Sequence, residues 1–201
     1  MVRPKNSAHH PVSLRQIEDA AAKVFRREGY RSATMEQIAE EVGLHKTSLY
    51  HHIKSKEGLL VSLAEVAVGD SIVRLRSLVA DADLGACAKL RSAVEAHVLM
   101  TAERTGALTA FTLYAHQIGD VAARDRYLEA RKEYSSLMLT LVSSALAVHS
   151  RDDDPGLVVF GILGMCNWMQ HWYSPDGRSR AEDIASEFSG MALRMVGCIE
   201  A

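Results

Sequence analysis

The stretch TMEQIAEEVGLHKTSLYHHI, residues 34–53, constrains the fold more than any other part of the sequence. Thr34 with Gln37 three positions later forms a capping box, which marks the first turn of a helix. Gly43 can adopt the left-handed conformation that ends such a helix after about eight residues. The segment that follows, residues 45–52, is apolar on one helical face and polar on the other. Two short helices joined by a tight turn are therefore predicted.

The rest of the chain also predicts helices. It has four prolines and 6% aromatic residues, and 48% of its residues are hydrophobic, which favours an all-α protein with a real core. A second capping box, Ser13 with Gln16, opens a helix that Gly29 ends. Helices are expected near residues 14–28, 35–42, 45–52, 56–80, 84–104, 107–117, 122–148, 155–173 and 180–198.

The long predicted helix 56–80 divides the chain into two domains. We call residues 1–55, an N-terminal arm and three helices, the head, and residues 56–201 the body. Residues 1–60 hold ten Lys/Arg and seven Asp/Glu, a net charge of +3, whereas the remainder carries −5. The basic end is a candidate for contact with phosphate groups.

Two short helices joined by a turn, with an exposed polar face on the second, describe a helix-turn-helix, whose second helix can enter a DNA major groove. Lys46 is suited to guanine O6 and N7, with Thr47 and Ser48 as adaptable partners. The remaining polar groups suit phosphates. The predicted DNA-binding residues are Thr34, His45, Lys46, Thr47, Ser48, Tyr50, His51, His52 and Lys56.

The same cluster could instead be a metal site or a solvated face. A metal site formed by His45, His51 and His52 is disfavoured, because neighbouring helical positions point about 100° apart and no carboxylate or Cys completes the set. In the body, His97, His116 and His171 could still converge. We expect no metal and no cofactor.

The three cysteines, Cys87, Cys166 and Cys198, are odd in number and lack metal-binding spacing. We therefore expect neither a disulfide nor a zinc site, but buried thiols in a reducing compartment.

Neither a secretory signal nor a membrane-spanning run is evident, so a cytoplasmic protein is expected. GxSxG, HExxH, GxGxxG and P-loop spacings are absent, which argues against an enzyme with catalytic residues of those kinds.

The run TMEQIAEEVGLHKTSLYHHIKSKEGLL, residues 34–60, resembles the signature of the TetR family of transcriptional repressors. The likeness lies in the Thr-capped helix, Ile-Ala, the turn Gly, Leu-Tyr, a His and Ser-Lys before the linker helix, and it extends back to Phe25, Gly29 and Tyr30. Val42 stands where a small Ala is usual, and Ile53 stands where Phe is commonest. Both changes keep the position apolar.

The resemblance implies a DNA-binding head, a ligand-binding body and a homodimer built mainly by the last two helices. Ile184, Phe188, Met191 and Met195 recur at helical spacing, and Gly161 and Gly164 would allow close helix approach, which fits such an interface. The predicted dimer-interface residues are Trp172, Ile184, Phe188, Met191 and Met195.

The resemblance also implies an apolar effector cavity in the body, and binding there would release the dimer from a partly palindromic operator. The candidate effector-binding residues combine polar tips with apolar neighbours. They are Met100, Phe111, Tyr114, His116, Gln117, Met138 and Trp168. Each of these side chains could instead pack in the hydrophobic core without contacting a ligand.

A second likeness lies in NWMQHWYSPDGRSRAEDIA, residues 167–185. Trp168, Trp172, Tyr173, Pro175 and Gly177 resemble a segment of TetR-type regulators of fatty-acid or steroid catabolism that respond to coenzyme A thioesters.

The likeness makes an acyl-CoA one candidate effector, and its phosphates would need cations such as Arg104, Arg131 or Lys132. The alternatives are that the tryptophans only fill the dimer interface, that the effector is drug-like, or that a fully packed body makes an effector-independent DNA-binding protein.

Overall fold

The computed structural model describes residues 12–114 and 121–198, without the side chains of 104–114 and 123. The described residues form eight α-helices and one 3₁₀ turn, with no strand, so the all-α prediction is confirmed. None of these helices is long and apolar enough to cross a membrane. The helices are α1 Leu14–Glu28, α2 Met35–Glu41, α3 Lys46–His52, α4 Lys56–Ala80, α5 Ala86–Tyr114, α6 Val121–Val148, α7 Pro155–Trp168 and α8 Ala181–Met195, and the 3₁₀ turn is Met169–His171.

Both predicted capping boxes are present in the head. The Thr34 hydroxyl accepts a hydrogen bond from the Gln37 amide at 3.2 Å, and the Gln37 side-chain oxygen accepts one from the Thr34 amide at 2.8 Å. Ser13 and Gln16 repeat this arrangement at the start of α1. Gly43 has φ +72°, the left-handed conformation that the α2–α3 turn requires. These local signals set the short helices and the tight turn between them.

The head packs around large, fully buried side chains, namely Ile17, Phe25, Ile38, Leu49, Leu59 and Leu60. Leu59 and Leu60 belong to the first turns of α4, so this helix is part of the head's core as well as of the body's. Buried Glu18 of α1 accepts a hydrogen bond from the Ser62 hydroxyl of α4. The head is thereby fixed to the long helix that continues into the body.

The body departs from the sequence prediction in helix lengths. The predicted helices 84–104 and 107–117 are one continuous helix, α5, so Gly106 does not interrupt it. α5 lies at the centre of the body and contacts α4, α6, α7 and α8. Packing on several sides outweighs the roughly 1 kcal/mol that a helical Gly costs. The predicted helix 155–173 is also shorter, because α7 ends at Trp168.

The prediction that no disulfide forms is wrong. Cys87, in the first turn of α5, is bonded to Cys198, which follows α8, with a Cα–Cα distance of 6.0 Å. The two residues are separated by 111 positions in the sequence, and pairing over such a distance cannot be inferred from spacing. Cys166 remains a buried free thiol, as predicted.

Candidate DNA-binding and effector sites

The polar face predicted for the second helix of the motif is the outer face of α3. Leu49 is fully buried and anchors this helix to the head. Most of the predicted DNA-binding side chains are exposed. They are Lys46, Thr47, Tyr50, His51 and His52 on α3, together with Thr34 and His45, the N-cap residues of α2 and α3; Ser48 is half-buried. The side chains assigned to DNA therefore lie on an accessible surface.

Lys46, the predicted guanine reader, is already engaged with a neighbouring carboxylate. Its Nζ lies 2.5 Å from Oε1 of Glu36 in α2, and both side chains are exposed. The hydrogen bond with Glu36 and the attraction of its charge raise the pKa of Lys46. An exposed ion pair of this kind is weak, so DNA can compete for the ammonium group.

Lys56, a predicted phosphate contact, has a structural role. Its Nζ donates to the backbone oxygens of Tyr30, Arg31 and Ala33 at 2.7, 3.1 and 2.8 Å, and it lies 4.7 Å from the centre of the Tyr30 ring. The three N–H groups of the ammonium are thus used by the loop between α1 and α2. In this structure the Lys56 ammonium is therefore engaged by the protein itself, and a phosphate would have to compete with these bonds.

A cavity of about 190 Å³ opens between α4, α5, α6 and α7. A more open cavity of about 460 Å³ lies beside it, between α4 and α5, and both are lined by Ser71, His97, Met100 and Tyr134. The lining of the first cavity combines apolar groups with several polar ones. It consists of Val68, Ser71, His97, Met100, Thr101, Tyr127, Arg131, Tyr134, Ser135, Leu163, Asn167 and Gln170.

The predicted effector residues meet this cavity only in part. Met100 lines it, whereas Met138 is fully buried in the core and Trp168 is 63% exposed, stacked on His171 with ring centres 4.3 Å apart. Neither side chain is among those that line this cavity, because helical spacing alone cannot tell which side of α6 or α7 faces it. The side chains of Phe111 and Tyr114, and residues His116 and Gln117, lie outside the described part of the chain.

The polar centre of the cavity is a triad from three helices, His97, Tyr134 and Asn167. Nε2 of His97 lies 3.0 Å from Oδ1 of Asn167, and Nδ1 lies 2.6 Å from the Tyr134 hydroxyl. The amide oxygen can only accept, so Nε2 carries the proton and Nδ1 accepts from the Tyr134 hydroxyl. Burial lowers the pKa of His97, although the bond to Asn167 opposes this, and burial raises the pKa of Tyr134. Both groups are therefore neutral near pH 7.

The sequence alone did not predict the triad of His97, Tyr134 and Asn167. From the sequence, His97 is a candidate only for metal binding, together with His116 and His171. In the structure His97 is engaged by Tyr134 and Asn167, while His171 stacks on Trp168, so these two histidines do not converge. The members lie 37 and 70 positions apart, and no local pattern links them.

Several large apolar side chains on α7, α8 and the segment between them are exposed in the protomer. Leu157, Phe160, Trp168, Trp172, Met191 and Met195 are among them, and we call them the α7–α8 surface. Gly161 of α7 lies in contact range of the Met195 sulfur, since a Cβ there would be 3.9 Å from it. Phe188 is half-buried against Trp172, with ring centres 6.5 Å apart. Ile184, a further predicted interface residue, is 6% exposed and packs within its own chain, so it adds little to this exposed surface.

Comparisons with known proteins agree with this architecture. The family model described as "Bacterial regulatory proteins, tetR family" matches residues 17–63, and the one described as "Tetracyclin repressor-like, C-terminal domain" matches residues 83–196. The transcriptional repressor KstR2 of Rhodococcus jostii (strain RHA1) is 26% identical over 184 residues, which are 89% of this chain and 88% of that protein.

Solved structures give the same result. The TetR family regulator PfmR from Thermus thermophilus superposes with a TM-score of 0.77 at 26% identity, covering 89% of this chain and 97% of that one. AibR in complex with isovaleryl coenzyme A and operator DNA gives 0.70 at 28%, covering 88% and 96%.

The two family models together cover the helix-turn-helix with the start of α4, and the body from residue 83 to residue 196. The likeness read from residues 34–60 is therefore confirmed, and it extends to the ligand-binding half of the fold. The family consists of transcriptional regulators, which are generally not enzymes. The chain belongs to the TetR family and is a TetR-type, DNA-binding transcriptional repressor.

Proposed function

We propose that α3 is the recognition helix of this repressor and that it acts on chromosomal operator DNA in the cytoplasm. The exposed face of α3 carries this proposal, with Lys46 and Thr47 at its start and Tyr50 and His51 one turn further on. Lys46 would leave Glu36 for a guanine edge, and the remaining groups would contact phosphates. The head, residues 1–55, is the domain that we assign to this task.

The test is a gel shift on duplexes selected from a random library by the immobilised protein. Lys46→Ala and Tyr50→Ala should weaken binding by roughly tenfold or more, because the first removes a proposed base contact and the second a proposed phosphate contact. Lys132→Ala is the matched control, since it removes the same charge from an exposed position on α6. Unchanged affinity in both α3 variants would exclude α3 as the reader.

We further propose that the effector is a coenzyme A thioester whose acyl group enters the cavity that Met100 lines. AibR, which is similar over most of its length, was solved with isovaleryl coenzyme A and operator DNA. The chemistry of the lining supports the same class, because Val68, Met100 and Leu163 offer apolar walls for an acyl chain. His97 and Tyr134 use their own protons within the triad, whereas the side-chain NH2 group of Asn167 carries donors that these two bonds do not use, and it could serve an uncharged acceptor such as a thioester carbonyl.

Cations for the phosphates of coenzyme A are the second requirement. Of the three predicted candidates, Arg131 lines the cavity, whereas Lys132 is exposed and paired with Glu129 at 2.6 Å. The side chain of Arg104 lies outside the described residues. Arg131 is therefore our candidate for the phosphate contact.

A thermal-shift series tests the effector proposal. Isovaleryl-CoA and longer acyl-CoA thioesters should raise the melting temperature through mass action, whereas free coenzyme A and free fatty acids should do so less. Arg131→Gln should weaken the response to thioesters, with Lys132→Gln as the matched control. A clear response to apolar drug-like compounds, with none to any thioester, would replace this proposal by the drug-like alternative.

The α4 helix offers a physical route from effector to DNA. Leu59 and Leu60 at its start belong to the head's core, while Val68 and Ser71, two to three turns further on, line the cavity. A ligand that displaces this part of α4 would move the head with it. Such displacement would change the spacing of two heads in a dimer.

We also propose that the α7–α8 surface forms the homodimer. Phe160 is 79% exposed and Leu157 is 69% exposed, which leaves large apolar groups in water in the lone protomer. The same surface is extended by Trp172, in the segment before α8, and by Met191, Met195 and the half-buried Phe188 on α8. Of the predicted interface residues, only Ile184 is buried within its own chain.

A further inference from the structure

Two cysteines, Cys87 and Cys198, and the imidazole of His149 come together at one end of the body, away from both the cavity and α3. Cys87 comes from the first turn of α5, His149 from the end of α6, and Cys198 from the segment after α8. The two sulfurs are bonded, and Nε2 of His149 lies 3.5 Å from Sγ of Cys87. All three side-chain atoms lie within 4.8 Å of one another.

The local backbone is shaped to bring these groups together. Gly197 has φ +83°, and a Cβ at this position would lie 3.3 Å from Cβ of His149, so the chain after α8 passes directly over the histidine. The Cys198 amide donates to the Leu193 carbonyl at 2.9 Å and so directs this residue back towards α5. At the end of α6, Ser150 adopts φ 49°, which turns the chain immediately after His149.

The cysteines differ in their surroundings. Cys87 is half-buried and lies beside an exposed imidazole, whereas Cys198 is 6% exposed. Cys166, in contrast, is fully buried in the core, and burial raises its pKa to about 12. A thiol reacts as its thiolate, and a neighbouring base favours that form. Cys87 is therefore the more accessible of the two bonded cysteines and has an imidazole beside it, whereas Cys166 has neither property.

We propose that Cys87 and Cys198 form a reversible thiol–disulfide site that is oxidised by hydroperoxides, with Cys87 as the attacking thiol, His149 as its base and Cys198 as the resolving thiol. Disulfides of proteins in reducing compartments are typically transient or sensory. The site is separate from the proposed DNA and effector sites and requires neither to be correct.

The reaction balances as a two-electron oxidation of the dithiol. His149 takes the Cys87 proton, and the thiolate attacks one oxygen of hydrogen peroxide, which breaks the O–O bond and releases hydroxide, protonated to water. Cys87 is then a sulfenic acid. The Cys198 sulfur attacks Sγ of Cys87, forms the S–S bond, and expels the second hydroxide, which leaves as water with the Cys198 proton. A dithiol reductant reverses the change by thiol–disulfide exchange.

The bond has a defined structural consequence. It fastens the end of α8 to the start of α5, and α8 carries Met191 and Met195 on the α7–α8 surface. Reduction would leave this end held only by packing and by backbone hydrogen bonds. The redox state therefore sets how firmly the C-terminal end of α8 is held.

The test uses the full-length protein, reduced with dithiothreitol, desalted and treated with stoichiometric hydrogen peroxide. The free thiols should fall from three to one, and non-reducing peptide mass spectrometry should find residues 87 and 198 cross-linked within one chain. Dithiothreitol should restore all three thiols. His149→Gln should slow oxidation by roughly tenfold, because less thiolate is present. Cys166→Ser is the matched control and should oxidise as the wild type does.

Other outcomes would overturn the proposal. Three free thiols after peroxide treatment, or a cross-link between two chains, would exclude the internal pair. A bond that survives in the native protein under a large excess of reduced glutathione would be a permanent structural disulfide. Stoichiometric zinc in protein purified without chelators, lost in Cys87→Ser, would make the cluster a metal site instead.

Discussion

At the scale of single residues, the ion pair between Glu36 and Lys46 joins α2 to α3, the helix that we propose reads the operator. Their atoms lie 2.5 Å apart on exposed side chains. To contact a guanine, Lys46 has to leave a carboxylate that also repels phosphates. Glu36 would thus lower the affinity for DNA of any sequence. Tight binding would then depend on the additional base contacts that only the operator offers.

We expect Glu36→Gln to increase affinity for DNA. The change removes a weak, exposed ion pair together with a negative charge near the DNA backbone, so a gain of about two- to fivefold is expected. Glu40→Gln is the matched control, because Glu40 is an exposed acid on the same short helix. Titration by fluorescence anisotropy measures both. An equal gain in the two variants would show that only net charge matters, and no gain would show that the pair does not restrain Lys46.

His97 gives the body a dependence of stability on pH. Burial holds its pKa below the ordinary value of 6.5, so below that pH the unfolded chain binds a proton that the folded chain does not. The free energy of unfolding should therefore fall as the pH decreases below 6.5, with a slope from this group of at most about 1.4 kcal/mol per pH unit. Above 6.5 this contribution should be constant.

Urea unfolding of wild type and His97→Gln between pH 7.5 and 5.5 measures this slope. The difference between the two proteins should shrink as the pH falls, because the variant has no imidazole to protonate. His171→Gln removes an exposed histidine and should keep the wild-type slope. Parallel curves for wild type and His97→Gln would contradict a neutral, buried His97.

At the scale of helices, the head was predictable and the cavity was not. α1 and α2 begin at local capping boxes, α2 is followed by the φ-positive Gly43, and these signals lie within a few residues of the structure they determine. The cavity depends on how long helices rotate against one another, which is a tertiary property. Met138 and Trp168 share helical periodicity with cavity residues, yet they face the core and the solvent.

A substitution at Phe160 on α7 tests the proposed homodimer. Phe160→Arg should weaken the homodimer by at least about 30-fold, since it would bury an unpaired charge in an apolar interface at a cost of about 2 kcal/mol or more. The protomer should remain folded, because this side chain is 79% exposed. Val73→Arg on α4 is the control, since Val73 is 67% exposed and lies outside the α7–α8 surface. Sedimentation velocity over a concentration series compares them, and unchanged association of Phe160→Arg would place the interface elsewhere.

At the scale of the whole molecule, α5 and the chain end connect parts that are distant in sequence. α5 contacts α4, α6, α7 and α8, and the bond from Cys87 to Cys198 closes a loop spanning 111 positions around this assembly. Such a link removes conformations mainly from the unfolded chain. Its effect on stability therefore depends on loop length more than on contacts near the sulfurs.

We expect Cys87→Ser to lower the free energy of unfolding relative to the oxidised wild type by up to about 4–5 kcal/mol, the chain-entropy value for a loop of this length. Guanidinium unfolding of the oxidised wild type, with and without dithiothreitol, should show a loss of the same size. Cys166→Ser should still lose stability on reduction, whereas Cys87→Ser should not respond to the reductant. If reduction left the unfolding midpoint of the wild type unchanged, the bond would contribute nothing to global stability. Only the local attachment of the α8 end to α5 would then depend on it.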